Sequence, residues 1–223
     1  MPDRHPPYAP VHISDAIVAE LRATARPGKG EILVKVFSEA AGAFAVEDYD
    51  EAIRLAEQAK HMALRAPAVR ELLGIAYYRA GQWAAAAREL GTFRRLSGST
   101  EQNPVLADCY RALSKPERAL ELCEEIDPAK VDAAVFYEGA IVAAGALSDG
   151  GKVDEAIERL ESLDLQPRVA ETYHLRAWYV LADLLERRGR FTQALSWFRA
   201  VAAADPELTD AQQRIERLKG KAG

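Results

Sequence analysis

Histidine and cysteine, which bind metals and carry much of enzyme catalysis, are present in this sequence but do not cluster. The four histidines are scattered, and none has a second metal-binding side chain at the spacing of a metal site: His5, His12, His61 and His174. Cys109 and Cys123 fall in apolar helical stretches, where free cysteine behaves as a small buried hydrophobic residue. The sequence therefore predicts no metal site, no cofactor and no disulfide framework.

Two glycine-containing segments that could bind phosphate are better explained as turns. The GKG at 28–30 lacks the full spacing and the Lys-Ser/Thr pair of a phosphate-binding loop. The SDGGK at 148–152 falls where a turn between two helices is predicted, and turn chemistry accounts for its composition. The G-x-S-x-G motif of serine hydrolases does not occur either. Because no nucleophile, base or metal ligands converge, we predict that the protein is not an enzyme.

Charge and hydropathy also restrict the class of partner. The formal net charge of -5 at pH 7 disfavours nucleic acid, whose binding depends on clustered lysine and arginine. The N-terminus lacks the apolar core of a signal peptide. The longest apolar stretch, 133–147, is interrupted by Glu138 and is too short to span a bilayer. We therefore expect a cytoplasmic protein with neither a membrane nor a nucleic-acid partner.

The chain contains an internal repeat. Five alanines recur at intervals of 33 to 38 residues, each in a similar helical neighbourhood: Ala52, Ala86, Ala119, Ala156 and Ala194. A period of this length with helical patterning is typical of stacked repeats, in which one repeat cannot bury its apolar face alone.

The clearest repeat is RELLGIAYYRAGQWAAAARELGTFRRL at 70–96. Leu73, Gly74 and Tyr77 share one face of its first helix. Gly81 can end that helix with a positive φ, and the second helix returns with Ala86 on its inner face. The pattern predicts two antiparallel helices joined by a tight turn.

This pattern resembles the tetratricopeptide repeat. The shared order is W-x-x-L-(G/A)-x-x-(Y/L), a turn glycine, an aromatic residue, A-x-x-x-F and a late proline. Glu47 replaces the turn glycine in the first repeat, and Ser114 lies at the turn of the third. The segments VRELLGIAYYRAGQW and VLADCYRALSKPERALEL are also similar to a group of actinobacterial tetratricopeptide-repeat proteins, which implies no known biochemical activity. The resemblance implies an all-α, right-handed superhelical solenoid of about five repeats with N- and C-terminal capping helices.

The expected organisation is a flexible proline-rich tail at 1–12 and a single α-solenoid domain at 13–223. The predicted repeats span 31–64, 65–98, 99–132, 133–168 and 171–206, followed by a C-terminal cap at 207–220. Ser14 should cap the first helix and Thr209 the last. We expect Arg214, Arg217 and Lys219 on the solvated outer face of that last helix.

In the family that this chain resembles, the first helices of successive repeats line a concave groove that holds a peptide or a helix. The resemblance places the groove at twelve positions: Glu71, Ile75, Tyr78, Arg79, Asp108, Arg111, Glu138, Ile141, Arg176, Tyr179, Asp183 and Glu186. Asp108, Asp183 and Glu186 would favour a cation, and the tyrosines offer contact area. The family's clamp for C-terminal carboxylates is not expected, because Ile75 and Asp108 stand where asparagine would be needed.

The leading hypothesis is a protein-interaction module, an adaptor or scaffold, that binds a protein or peptide in this groove. Two alternatives stay open: a structural subunit that assembles with itself or with an enzyme complex, and an RNA-binding helical repeat protein. The acidic total and the mixed groove count against RNA.

Overall fold

The computed structural model describes residues 11–220, which form twelve α-helices and no strand. The predicted all-α repeat fold is confirmed, whereas residues 1–10 of the predicted tail at 1–12 lie outside the described residues. None of the helices in this part of the chain is long and apolar enough to cross a membrane. The helices form two compact units that divide between Leu113 and Ser114.

The N-terminal unit contains six helices, α1 to α6. They are α1 (Asp15–Thr24), α2 (Gly30–Ala45), α3 (Tyr49–Met62), α4 (Pro67–Arg79), α5 (Trp83–Ser97) and α6 (Asn103–Ala112). The first helices of the repeats, α2, α4 and α6, contact one another in sequence, while α3 and α5 are second helices. Helix α1 begins after Ser14, whose hydroxyl accepts from the Ile17 N–H as predicted. It packs on α2 and α4, and Glu20 accepts from the Ala68 N–H at the start of α4.

The C-terminal unit contains the other six helices. They are α7 (Pro116–Glu124), α8 (Ala133–Asp149), α9 (Val153–Glu161), α10 (Thr172–Arg187), α11 (Phe191–Ala204) and α12 (Ala211–Leu218). Here α8 and α10 are first helices in contact with each other, α7, α9 and α11 are second helices, and α12 packs on α11. Helix α12 begins at Ala211, so Thr209 is not its N-cap as predicted. The N-cap is Asp210, and Thr209 accepts from the Ala211 N–H.

Every helix-to-helix turn within the repeats contains one residue in the left-handed region, five residues before the repeated alanine. These residues are Glu47, Gly81, Ser114, Gly151 and Gly189, with φ values from 58° to 80°. At Gly81 the turn is closed by two hydrogen bonds, from its own N–H to Tyr78 and from the Gln82 N–H to Tyr77. This is the usual glycine ending of a helix. Glu47 and Ser114 adopt the same conformation without the freedom of glycine.

Small residues allow the paired helices to approach closely. All five repeated alanines have no exposed surface. At Gly74, an added Cβ would lie 2.6 Å from two side-chain carbons of Leu90. The first and second helices of this repeat therefore touch where one of them has no side chain, as the sequence pattern predicted.

Candidate protein-interaction surface

The twelve predicted groove residues all lie on first helices and fall into two sets. We call Glu71, Ile75, Tyr78, Arg79, Asp108 and Arg111 the N-terminal face. We call Glu138, Ile141, Arg176, Tyr179, Asp183 and Glu186 the C-terminal face. Within each helix these residues recur at helical spacing, so the members of one helix share one side of it.

Side-chain bonds between α4 and α6 organise the N-terminal face. The Tyr78 hydroxyl donates to Asp108 Oδ2 at 2.7 Å, and Arg111 donates to Asp108 Oδ1 at 2.9 Å. Gln102, at the start of α6, donates to Glu71 at 2.9 Å. Burial raises the pKa of Glu71, and the bond from Gln102 opposes that shift. Burial and the neighbouring carboxylate of Asp108 together raise the pKa of Tyr78. Asp108 is therefore already hydrogen-bonded on both oxygens.

The rest of the N-terminal face is more open to solvent. Arg79 is exposed at the end of α4, and Ile75 is half-buried one turn earlier. The ring of Tyr78 meets Trp83 edge to face, with centroids 5.3 Å apart. This contact holds the Tyr78 ring on the same helix face as two accessible side chains, the apolar Ile75 and the cationic Arg79.

Ion pairs and hydrogen bonds also join neighbouring helices on the C-terminal face. Arg176 on α10 forms an ion pair with Glu138 on α8 at 2.9 Å. The Tyr179 hydroxyl donates to Asp210 at the start of α12, and its ring lies edge-on to Phe198. Ile141 packs against the apolar core of this unit.

Arg214 of α12 reaches the two acidic residues of the C-terminal face. Its guanidinium lies 2.6 Å from Asp183 and 2.7 Å from Glu186, and it stacks over the Phe198 ring at 4.8 Å. Only 14% of the side chain is exposed, so the prediction that Arg214 lies on a solvated outer face is wrong. Burial alone would lower its pKa, but the bonds and charges of the two carboxylates raise it. Asp183 and Glu186, two of the three acidic residues predicted to attract a cation from a partner, therefore already bind one from their own chain.

A second buried ionic cluster lies in the N-terminal unit, and no sequence pattern indicated it. Glu89 on α5 is buried, and its carboxylate oxygens lie 2.5 Å from Arg70 Nη1 and 3.2 Å from Lys60 Nζ. Lys60 also binds Glu57 at 2.6 Å, and Glu57 accepts from the Tyr77 hydroxyl at 2.9 Å. Burial would raise the pKa of Glu89, but the bonds from Arg70 and Lys60 lower it overall. Burial and Glu57 raise the pKa of Tyr77 to about 12. This cluster joins α3, α4 and α5 and has a structural role.

The remaining reactive side chains have structural explanations. His174 is buried against Tyr137 and Tyr173, and its Nδ1 accepts from the Glu171 N–H at 2.9 Å. Both cysteines are buried, and burial raises the pKa of Cys109 to about 12. Within residues 11–220, no three side chains of His, Cys, Asp or Glu lie close enough to hold a metal ion.

Solved structures with a similar fold include repeat proteins of several kinds. YrrB, described as a tetratricopeptide repeat (TPR) protein with an unusual peptide-binding site, is 15% identical with a TM-score of 0.57, over 82% of this chain and 92% of that one. TTC0263, a thermophilic TPR protein from Thermus thermophilus, is 18% identical with a TM-score of 0.62, over 83% and 98% of the two chains. Human IFIT1, solved as a dimer with m7Gppp-AAAA, is 15% identical with a TM-score of 0.59, over 86% of this chain and 47% of that one. At these identities the likeness shows the fold alone.

Sequence comparison identifies the family directly. The sequence model of the tetratricopeptide repeat family matches residues 37–92 and 142–208, which together make up more than half of the chain. A comparison with curated proteins finds no match. The family match includes four of the five left-handed turns and repeated alanines, all except Ser114 and Ala119, and on this evidence the protein belongs to the tetratricopeptide repeat family.

Proposed function

We propose that this chain is a non-enzymatic protein-interaction module that holds a segment of a partner protein against its first helices. One observation carries the proposal: Ile75, Tyr78 and Arg79 stand together on α4, where none of them is fully buried. An aromatic ring held in place beside an aliphatic and a cationic side chain is the composition common at binding hot spots. The family's association with protein partners supports the same function.

The ionic pairs on the two faces determine how a partner would bind. A basic residue of the partner would have to share Asp108 with Arg111, or compete with Arg214 for Asp183. Asp108 and Arg111 are 30% and 26% exposed, whereas Arg214 is 14% exposed and bound to two carboxylates. We therefore assign the partner's basic residue to Asp108 and its apolar anchors to Ile75 and Tyr78. The N-terminal face is the main binding surface in this proposal.

Two of the similar structures point to different partners. YrrB has a peptide-binding site by its description, which favours a peptide here too. IFIT1 was solved with m7Gppp-AAAA, which supports RNA binding as the alternative function. The two faces together carry five carboxylates and three arginines, an arrangement that repels a phosphate backbone. A protein segment is therefore the better-supported partner.

Other features of the proposal rest on the sequence alone. They are the single repeat domain with its five repeat boundaries, the similarity to actinobacterial proteins and the cytoplasmic location. Assembly with itself or with an enzyme complex is the alternative role. Sedimentation at several protein concentrations distinguishes self-assembly from a monomeric adaptor.

Affinity capture from the native cell extract tests the proposed function. The wild-type chain would be compared with the double variant Ile75→Ser/Tyr78→Ala, which removes both apolar anchors, and with Arg95→Glu, which changes an exposed residue on the second helix α5. We expect the same captured proteins with wild type and Arg95→Glu, and their loss with the double variant. Captured proteins that survive the double variant would place the binding site elsewhere, and capture lost after nuclease treatment would favour RNA.

A further inference from the structure

A cleft in the C-terminal unit lies between α7 and α9, two second helices that both pack on α8. Its volume is about 580 Å³, within the range of ligand-binding sites in proteins. Three apolar side chains line it, Leu120 from α7 and Ala143 and Leu147 from α8. None of its lining residues belongs to the C-terminal face, so the cleft is a different surface from the proposed groove.

The two helices that flank the cleft are strongly acidic. Helices α7 and α9 together carry seven carboxylates and two arginines, which gives a net charge of -5 over eighteen residues. This equals the formal net charge of the whole chain, so the rest of the protein is neutral on balance. Asp154 and Glu161 of α9 are bound by Arg188 and Arg190, so the lining of the cleft itself carries three carboxylates, Glu124, Glu155 and Glu158, against Lys152 and Arg159. An excess of carboxylates beside apolar side chains attracts and orients a partner of opposite charge.

The cations at the rim of the cleft are already bound. Arg159 of α9 reaches across to Glu124 of α7 at 3.1 Å, and Lys152 binds Glu155 at 3.2 Å. All four side chains are 31% to 63% exposed, and exposed pairs of this kind are weak and exchangeable. Glu158 adds a further exposed carboxylate to the lining. A partner's cation could therefore bind Glu158 directly, or replace Arg159 at Glu124 at little energetic cost.

We propose that this cleft docks a basic segment of a partner protein. One or two apolar side chains of that segment insert between Leu120 and Leu147, and a lysine or arginine binds Glu158 and Glu124. The site uses none of the residues of the proposed groove, so either site can fail without the other. A chain with both sites would bind two protein segments at once, as a scaffold does.

The test uses the full-length protein and a short labelled peptide built of repeated Leu-Lys-Lys-Leu blocks. Two control peptides separate the contributions: one with serine in place of leucine, and one with glutamate in place of lysine. Amide NMR shifts of the isotope-labelled chain locate the bound peptide, and fluorescence anisotropy gives its affinity. We expect shifts at residues lining the cleft with the first peptide and much weaker binding of both controls.

Two charge reversals in the same unit provide the matched comparison. Glu158→Lys should weaken the Leu-Lys peptide roughly tenfold, because an attraction at a partly solvated site becomes a repulsion. Glu207→Lys makes the same change of charge at an exposed residue outside the cleft and should leave the affinity within about twofold. Circular dichroism and melting temperature show whether both variants remain folded.

Several outcomes would overturn the proposal. They are NMR shifts confined to other surfaces, equal losses in the two variants, or tight binding of the serine peptide. Self-association of the wild-type chain that Glu158→Lys abolishes would also overturn it, because the occupant would then be a second copy. The capture experiment on Ile75 and Tyr78 does not depend on any of these results.

Discussion

The Tyr78 hydroxyl donates to Asp108 across 30 positions of sequence, and Tyr179 makes the corresponding bond to Asp210 across 31. In each unit, therefore, a tyrosine on a first helix binds an aspartate of the repeat or cap that follows. Asp210 belongs to the start of α12, so the capping helix reproduces this feature of a further repeat. The bond adds to the other polar links between the same elements, from Gln102 to Glu71 in the N-terminal unit and from Arg214 to Asp183 and Glu186 in the C-terminal unit.

Removing the Tyr78 hydroxyl measures the stability that this bond contributes. Tyr78→Phe should lower the free energy of unfolding by about 0.5–1.5 kcal/mol, because a half-buried carboxylate loses one donor while Arg111 remains. Tyr49→Phe is the control, since the Tyr49 ring packs on Phe44 at 5.6 Å and its hydroxyl makes no comparable link between helices within residues 11–220. Urea denaturation gives both values. Equal losses in the two variants would show that the bond to Asp108 contributes nothing specific.

The same glycine-to-alanine substitution should have opposite effects on stability at a left-handed turn and inside a helix. Gly81→Ala should destabilise the protein by about 1 kcal/mol, because alanine is strained at a φ of 71°. Gly91→Ala should stabilise it by about 0.5–1 kcal/mol, because Gly91 is helical and an added Cβ has its nearest contact at 3.9 Å. Thermal melts distinguish the two. The same sign for both variants would contradict the turn assignment.

The same argument predicts that two natural turns are not optimal. Glu47 and Ser114 have φ values of 62° and 58° in positions where the other repeats have glycine. Glu47→Gly and Ser114→Gly should each stabilise the protein by about 0.5–1 kcal/mol, because relief of strain exceeds the added entropy of the unfolded chain. Differential scanning calorimetry measures the change. Lower stability in both variants would mean that these side chains make contacts worth more than the strain.

These turns also show how much of the fold could be predicted. The alanine spacing and Gly81 follow from local requirements for close packing and a left-handed residue, which a sequence displays directly. Arg214 was misplaced because its surroundings depend on carboxylates 28 and 31 positions earlier in the chain. A solvated arginine and a buried, paired one look identical in sequence, and the same is true of Glu89.

The groove residues illustrate the same limit within the candidate site. Family resemblance assigned them to a groove on first helices; in the structure all twelve lie on α4, α6, α8 or α10, and their role in binding stays a prediction. The resemblance did not show that most of the polar groove side chains form hydrogen bonds or ion pairs with neighbouring helices, because those contacts depend on tertiary packing. The acidic cleft was missed for a related reason: it forms between α7 and α9, helices separated by the whole of α8.

Arg214 should be important for the stability of the C-terminal unit. Arg214→Met should cost about 2–4 kcal/mol, because Asp183 and Glu186 are 21% and 14% exposed and would lose their shared cation. Arg217→Met is the control: Arg217 binds Glu186 but is 55% exposed, so its loss should cost no more than about 1 kcal/mol. Chemical denaturation followed by tryptophan fluorescence in a Trp83→Phe background, which leaves only Trp178 and Trp197, reports on this unit. Similar losses would show that burial does not distinguish the two arginines.

Glu89 should make stability depend on acidic pH. Its pKa is lower in the folded protein than in the unfolded chain, so between these values the unfolded state binds more protons and stability rises with pH. The contribution is complete above the unfolded value of about 4.3 and is lost as the pH falls through the folded value. Glu89→Gln should cost about 2–4 kcal/mol at pH 7 and progressively less below about pH 4. Glu121→Gln, at an exposed pair, is the control and should show no such trend. A constant difference between wild type and Glu89→Gln over this range would contradict the assignment.

The functional prediction separates the anchoring role of Tyr78 from the electrostatic role of Arg79. Tyr78→Ala should mainly speed dissociation of the captured partner, by about tenfold or more, because it removes a contact at the centre of the N-terminal face. Arg79→Glu should mainly speed association, because it adds negative charge at an exposed position facing a basic segment, and the gain should shrink at high salt. Arg79→Lys keeps the charge and should leave the association rate unchanged.

Surface plasmon resonance at two salt concentrations measures both rates, with circular dichroism as the check on folding. Slower association of Arg79→Glu would show that the partner segment is acidic, and unchanged dissociation of a folded Tyr78→Ala would exclude Tyr78 as an anchor.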